Sequence, residues 1–353
     1  MNDTAVVHIV RRYGRVGGME NYVWELTHAL AELGVKVEII CEQLYDSPSK
    51  KMQIHLTKVN NSSSRWKGMM YFRDEVKLLI TGGTFDRKII IHSHERSLIH
   101  HITTFHGPPM EVKSDWWRLS SLSSRIKAWK AMEKDEILGS QVQFVLPVSK
   151  QIENKLRFLY PDLAEKRIVI AYPGVHELKK IPTARKSEGK GISRFLFVGK
   201  EWNRKGLRFA IKVIQSYSSD FGPCVLDVYG PAASSLPSYV QKNPNVVIRG
   251  WSTEIPWEEY DALIHPATNE PFGMVVTEAR RHGVPVLTTN LVGSVELGYH
   301  GVVVLDGTET SVIWAQNLFK LTHDDKNRKP EVKWTWQDLA LLHLNEIYSQ
   351  VNN

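Results

Sequence analysis

The segment DALIHPATNEPFGMVVTEARRHGVPVLTT, residues 261–289, reads as strand, turn, helix and strand in succession. DALIHP is a short apolar run of the buried-strand type, the chain turns at Asn269-Glu270, and VPVLTT is a second such run. Pro271 suits the first turn of the intervening helix, where its missing N–H has no intrahelical partner to lose. Two buried strands joined through a helix are the repeating unit of a parallel α/β sheet.

The same rhythm extends in both directions. RFLFVG (194–199), a helix near 205–218, VLDVYG (225–230) and VVIRGW (246–251) precede the quoted segment, and GVVVLD (301–306) follows it. In the first half, AVVHIV (5–10) leads through RRYGRVGG (11–18) into a helix pattern over 19–33. Tyr22, Val23, Leu26, Leu30 and Leu33 share one face of that helix, Gly34 ends it, and VKVEII (35–40) alternates as a strand. Further apolar runs at 88–91, 142–148 and 168–171 continue this sheet. HELKKIPTARKSEGKGIS (176–193) has no apolar period and reads as a linker.

The expected organisation is therefore two doubly wound, Rossmann-like α/β domains, 1–175 and 194–334, facing a cleft across the 176–193 linker. The final helix, 335–353, carries Trp336, Leu339, Leu344, Ile347 and Tyr348 and should pack back on the first domain. A length of 353 residues suits two cores better than one, and 42% hydrophobic with 24% charged residues is ordinary for a globular chain. No apolar run is long enough to span a bilayer and the N-terminus lacks a signal-peptide pattern, so a cytoplasmic location is expected. Cys41 and Cys224 sit in apolar runs without metal or redox spacing and read as buried thiols. A net charge of +7 favours anionic partners: phosphorylated metabolites, nucleic acid or a membrane face.

The loops carry the chemistry. The N–H groups of Phe272, Gly273 and Met274 stand at a helix start and can point at an oxygen anion, with Gly273 permitting close approach. Glu270 and Glu278 bracket that start, so hydroxyls on both sides of a phosphate find acceptors, as a nucleotide-sugar requires. GKEWNRKGL (199–207) places Arg204 and Lys205 after another strand, with Gly199 making the turn, and cations at a helix start are relieved by an anionic ligand. Gly17-Gly18 open a helix at a third strand end. That loop is not G-x-G-x-x-G, although Glu42 lies where a dinucleotide fold carries its ribose acid, so a nicotinamide-dependent dehydrogenase is an alternative reading.

Together the Gly17-Gly18 loop, TFHG (104–107), FVGKEWNRKG (197–206) and HPATNEPFGMVVTEARRHGVPVLTT (265–289) resemble family 4 of the retaining GT-B glycosyltransferases, the glycosyl transferases of group 1. The HPA-x-x-E, RKG and VPVLTT segments are most similar to those of bacterial lipopolysaccharide core glucosyltransferases. The resemblance implies a donor site in which Glu270 meets sugar hydroxyls, Phe272, Gly273, Met274 and Val275 line the sugar and phosphate, and Glu278 binds the ribose. Arg204 and Lys205 would hold the diphosphate in place of a metal, His106 would stand beside the sugar, and Trp251 near the base. The chain has no Asp-x-Asp, consistent with no metal and no cofactor being expected. The implied donor is UDP-linked, and the family is discussed as reacting on the front face of the sugar.

His92 and His94 share one strand face near His100 and His101, but two histidines without a third ligand at a recognised spacing do not make a metal site. MEVKSDWWRLSSLSSRIKAWKAMEK (110–134) interleaves Trp116, Trp117 and Trp129 with Arg118, Lys127 and Lys130, a composition suited to an anionic membrane surface, and 61–77 is similar. Because many bacterial members of the family glycosylate lipid-anchored acceptors, the resemblance implies a glycolipid or oligosaccharide acceptor at the inner membrane face and no nucleic acid. A nonenzymatic scaffold that binds glycan or nucleic acid is the remaining alternative.

Overall fold

The computed structural model describes residues 4–60, 64–110, 124–178, 191–252 and 254–352. The chain divides into two compact units, Met1–Gly174 with Trp334–Asn353, and Val175–Lys333. Most of the expected 176–193 linker lies outside the described residues.

The first unit is built on a parallel sheet with the strand order Met52–Leu56, Lys36–Cys41, Ala5–Ile9, Ile89–Ser93, Ile102–Phe105, Phe144–Pro147 and Arg167–Ile168. Ala5–Ile9 is buried at every position because helices cover both faces of a central parallel strand. Met52–Leu56 and Ile102–Phe105 are absent from the sequence reading. The first is a half-exposed edge strand, and the second is four residues long with two threonines, so neither forms a recognisable apolar run.

The second unit has the order Val246–Gly250, Cys224–Tyr229, Ser193–Val198, Ala262–His265, Val286–Thr289 and Val302–Leu305, again parallel throughout. Its core joins Phe195, Phe197, Leu226 and Ile264 to Leu207, Ile211, Trp314 and Leu318 from the flanking helices. Cys41 and Cys224 are free, buried thiols, and burial pushes each up to about 12.

Strand order positions the functional loops. In the second sheet the chain winds outward from Ser193–Val198 and then crosses to Ala262–His265 on its other side, so the loops after these two neighbours diverge and open a crevice. In the first sheet the same reversal falls between Ala5–Ile9 and Ile89–Ser93, where His8 and His92 are paired in register.

The C-terminal helix Trp336–Leu342 starts with a capping box between Thr335 and Asp338 and packs against helix Gly18–Glu32 in the first unit. Gly174 makes this possible: a Cβ there would stand 2.3 Å from the Trp336 backbone nitrogen. The expected continuous helix gives way to a π-helical turn at His343–Ile347, which carries His343 into a fully buried position.

Candidate donor site

Residues 199–206 and 266–273 follow the two strands that flank the crevice of the second sheet. Their backbones are fastened together: Thr268 donates to the Arg204 carbonyl through its N–H at 3.1 Å and its hydroxyl at 3.2 Å. Gly206, at φ +83°, lies so close to the Pro266 carbonyl oxygen that a Cβ would stand 2.1 Å from it. The Lys205 stem occupies the space above Gly199 where a side chain would project, its Cδ 2.0 Å from that Cβ position.

This scaffold brings Arg204, Lys205 and Glu270 together. Glu270 Oε2 is 3.1 Å from Arg204 Nη1 and 3.2 Å from Lys205 Nζ. Arg204 is held further by Glu201 Oε2 at 2.5 Å and by the Asn269 carbonyl at 2.5 Å. Glu270 is itself fixed by its backbone, donating to Leu291 O and accepting from Gly293 N. Ser294 N donates to Phe272 O at 2.7 Å, completing the attachment of the 270–273 loop to the 291–294 loop.

Gly273 is the N-cap of helix Met274–Arg281 at φ +86°, a conformation that costs a side chain about 1–2 kcal/mol. Met274 and Val275 form the helix's first turn, whose N–H groups have no acceptor within the helix. Glu278 lies one face along the same helix and is partly buried. Burial raises its carboxyl above the usual range, while Lys205 and Arg281 pull it down. Lys205 thus stands in the field of both carboxylates.

Two features escaped the sequence reading. His265, at the end of its strand, is fully buried, and its Nε2 lies 3.8 Å from Glu270 Oε2, beyond hydrogen-bonding reach. Burial keeps it neutral, reinforced by Lys205 and Arg204. The 291–294 loop, which braces Glu270 and Gly273, has no composition cue beyond its glycine. The signal for His265 was its place directly before Pro266 at a strand end.

Trp251 is 60% exposed at the end of the Val246–Gly250 strand, and nearby Arg249 pairs with buried Asp227 at 3.2 Å. Asp227 Oδ2 also accepts from Arg194 and Tyr260, so Arg249 belongs to a structural cluster.

The remaining expected residues belong to the first unit. Gly17 caps helix Gly18–Glu32, and a Cβ on Gly17 would meet Glu20 Oε2 at 2.3 Å. His106 follows the Ile102–Phe105 strand and is partly buried, its Nε2 3.0 Å from His94 Nδ1. Glu42 is buried with its carboxylate taken by Arg11 at 2.9 Å and 2.5 Å, which argues against the ribose-binding role of the dehydrogenase reading.

Trp116, Trp117 and Arg118 lie outside the described residues. Trp129 departs from the expectation of a membrane-facing ring: it packs on the core around Phe72 and Met132, with the Arg96 guanidinium 5.2 Å from its ring centre. Its helix, Ser124–Leu138, leaves Lys127 exposed and Lys130 half-buried.

The sequence matches the family described as Glycosyltransferase Family 4 over residues 16–177 and that described as Glycosyl transferases group 1 over residues 192–324. A Klebsiella pneumoniae protein described as an uncharacterized 41.2 kDa protein in the cps region is 28% identical over 43% of this chain, a match spanning 42% of its own length. Among solved structures, WaaG, described as a glycosyltransferase involved in lipopolysaccharide biosynthesis, superposes with a TM-score of 0.76 at 18% identity, covering 98% of this chain and 96% of its own. Anabaena HepE, solved with UDP and glucose, gives a TM-score of 0.60 at 14% identity over 95% and 94% of the two chains. Two parallel-sheet Rossmann-like units, the Glu270 and Arg204-Lys205 loops at a strand crossover, and matches to both halves make this chain a GT-B member of glycosyltransferase family 4.

Proposed function

We propose that the chain is a retaining, metal-independent hexosyltransferase that takes a UDP-linked sugar and delivers the hexose to a glycolipid acceptor of a cell-surface polysaccharide, such as lipopolysaccharide core, at the inner face of the cytoplasmic membrane. One observation carries the reading: Lys205 and Arg204 converge on Glu270 beside the helix start at Gly273, and the Lys205 charge also acts on the Glu278 carboxyl. The solved UDP complex of HepE and the cps-region relative support the choice of donor and of pathway class.

In the chain without ligand, Glu270 is the anion that holds the two cations in place. An arriving diphosphate shares them, which releases carboxylate oxygens to accept from sugar hydroxyls. As the anomeric bond lengthens, negative charge collects on the departing phosphate oxygen. With the donor bound, Arg204, Lys205 and the first-turn amides meet that charge, so no further reorganisation accompanies the lengthening of the bond. Two fixed cations supply the charge that a divalent metal supplies elsewhere. Glu278 accepts from the ribose hydroxyls, and His106 is assigned to the donor sugar.

The test is incorporation of labelled hexose from UDP-hexoses into extracted bacterial lipid, with and without EDTA. Incorporation that survives chelation and yields the donor's anomeric configuration is expected. Dependence on a divalent cation, inversion, or no transfer from any UDP-hexose would each contradict the corresponding part. Cosedimentation with anionic vesicles, reduced by replacing Trp116 and Trp117 with Ser, tests the membrane assignment; unchanged sedimentation would remove it.

A further inference from the structure

The crossover point of the first sheet holds a cluster of histidines that the donor-site reading does not use. His8 lies next to the end of the Ala5–Ile9 strand, His92 lies beside it on Ile89–Ser93, and His94 follows, all three buried. The C-terminal segment covers them, with Tyr348 reaching His92 and His343 stacking on it at 5.4 Å between ring centres.

The contacts form a continuous chain. His106 Nε2 meets His94 Nδ1 at 3.0 Å, and His94 Nε2 meets His8 Nδ1 at 3.0 Å. His8 Nε2 approaches the Tyr348 hydroxyl at 3.5 Å, that hydroxyl meets His92 Nδ1 at 2.9 Å, and His92 Nε2 meets Thr104 Oγ1 at 2.8 Å. Potential ligand atoms of His8, His92 and His94 lie within 4.8 Å of one another, which raises a metal site as a possibility. Every ring nitrogen of these three already has a partner in the chain, and no carboxylate among those contacts offsets a divalent charge. The hydrogen-bonded reading accounts for all the contacts.

Burial keeps the rings neutral, lowering His8 to about 3, His92 and His94 well below their usual value, and the less buried His106 in the same direction. A neutral imidazole has one N–H and one bare nitrogen. Each ring in the chain must therefore donate on one side and accept on the other, so the tautomers are coupled and only two arrangements exist. In one, every ring carries its proton on Nε2; in the other, every ring carries it on Nδ1. The Tyr348 hydroxyl selects between them. It has one proton, and its short contact is to His92 Nδ1 whereas its contact to His8 is long, as expected when the phenol donates to His92 and accepts weakly from His8.

We propose that His94, backed by His8 and Tyr348, is a positioning residue that fixes His106 as the Nε2–H tautomer and so presents its bare Nδ1 as an acceptor for a sugar hydroxyl. The functional half of this statement rests on the transferase reading, through the place of His106 at the donor sugar; the tautomer does not. His106 is partly exposed whereas its partners are buried, and among the described residues its Nε2 is engaged by His94 while its Nδ1 meets no hydrogen-bond partner. Replacing His94 by Leu would cut the link to His106, whereas Asn at 94 retains a carbonyl oxygen that can accept from Nε2–H.

The experiment is nitrogen-15 NMR of histidine-labelled protein, with His106 assigned by His106→Gln. The expected spectrum has His106 Nδ1 bare and Nε2 protonated, shifting to a mixture of tautomers in His94→Leu and returning in His94→Asn. Tyr348→Phe, which removes only a hydroxyl, should also mix the tautomers and serves if His94→Leu does not fold. A protonated Nδ1 in the unaltered protein, or a His106 spectrum indifferent to both variants, would overturn the proposal. Stoichiometric zinc in the purified protein that is lost in His8→Ala would overturn it in favour of a metal site. In transfer assays, His94→Leu should lower kcat with little change in donor KM, and His94→Asn should recover it. Correct tautomers in a chain that transfers nothing would refute the transferase reading while leaving the coupling standing.

Discussion

Replacing Lys205 by Met removes one charge from the proposed phosphate site while leaving most of the local packing. The Met stem can cover Gly199 as the Lys stem does, and Arg204 remains 3.1 Å from Glu270 to hold that carboxylate. Loss of the 3.2 Å contact between Lys205 and Glu270 should therefore cost the fold only about 1 kcal/mol. The effect on the reaction is larger. Two unit charges at that separation interact by about 5 kcal/mol in an effective dielectric of 20, before desolvation is subtracted. One preorganised donor removed from a developing anion typically costs roughly 3–4 kcal/mol, or about 100- to 1,000-fold in kcat. Initial rates at saturating donor, with melting curves as a fold control, measure both quantities. Lys212→Met, at an exposed position on the following helix, should change neither. Near-normal turnover by a folded Lys205→Met protein would refute the assignment of Lys205 to the leaving group.

Gly273→Ala should destabilise the second unit by roughly 2–5 kcal/mol, combining the left-handed backbone with overpacking against Val292, whose Cγ1 would be 2.7 Å from the new Cβ. Urea unfolding measures this, and a neutral result would mean the turn relaxes. Asp227→Ala, which removes the shared acceptor of Arg194, Arg249 and Tyr260, should cost about 1–3 kcal/mol, because both arginines are partly exposed and can turn to water. Acid should weaken the fold. His8 is lowered to about 3, and His100 and His343 to about 4, so near pH 5 the unfolded chain binds protons that the folded chain does not. Their contribution is complete above about pH 6.5 and is lost as the pH falls toward 4, with His8 alone accounting for about 2 kcal/mol at pH 5. Unfolding at pH 5 should take up close to one proton for each of these rings; no uptake would contradict their burial as neutral groups.

The fold was legible wherever the strands are buried on both faces, because such strands are apolar runs whatever their neighbours. Ala5–Ile9 and Ala262–His265 announce themselves in this way. Met52–Leu56 does not, since an edge strand can carry polar residues, and neither does Ile102–Phe105, whose Thr103 and Thr104 side chains find partners only in the folded chain. Arg204, Lys205 and Glu270 were legible as motifs because their chemistry belongs to loops after strands. That Glu270 pairs with both cations was not, because the pairing depends on which two strands are neighbours at the crossover. The same limit hid the histidine chain: His8 and Tyr348 are far in sequence from His94 and His106, and only the sheet order and the return of the C-terminus bring them together. Trp129 shows the opposite failure. Its basic neighbours suggested a membrane face, but on a helix those neighbours occupy a different side from the ring that packs inward.

Thermal unfolding in EDTA with UDP, GDP, ADP or NAD present tests the donor site most directly. A ligand at a hundred times its Kd adds about 2.7 kcal/mol to the folded state. UDP should raise the melting temperature of the unaltered protein without any metal, and Lys205→Met should lose most of that rise. A shift with NAD alone, or with none of the four, would contradict the account.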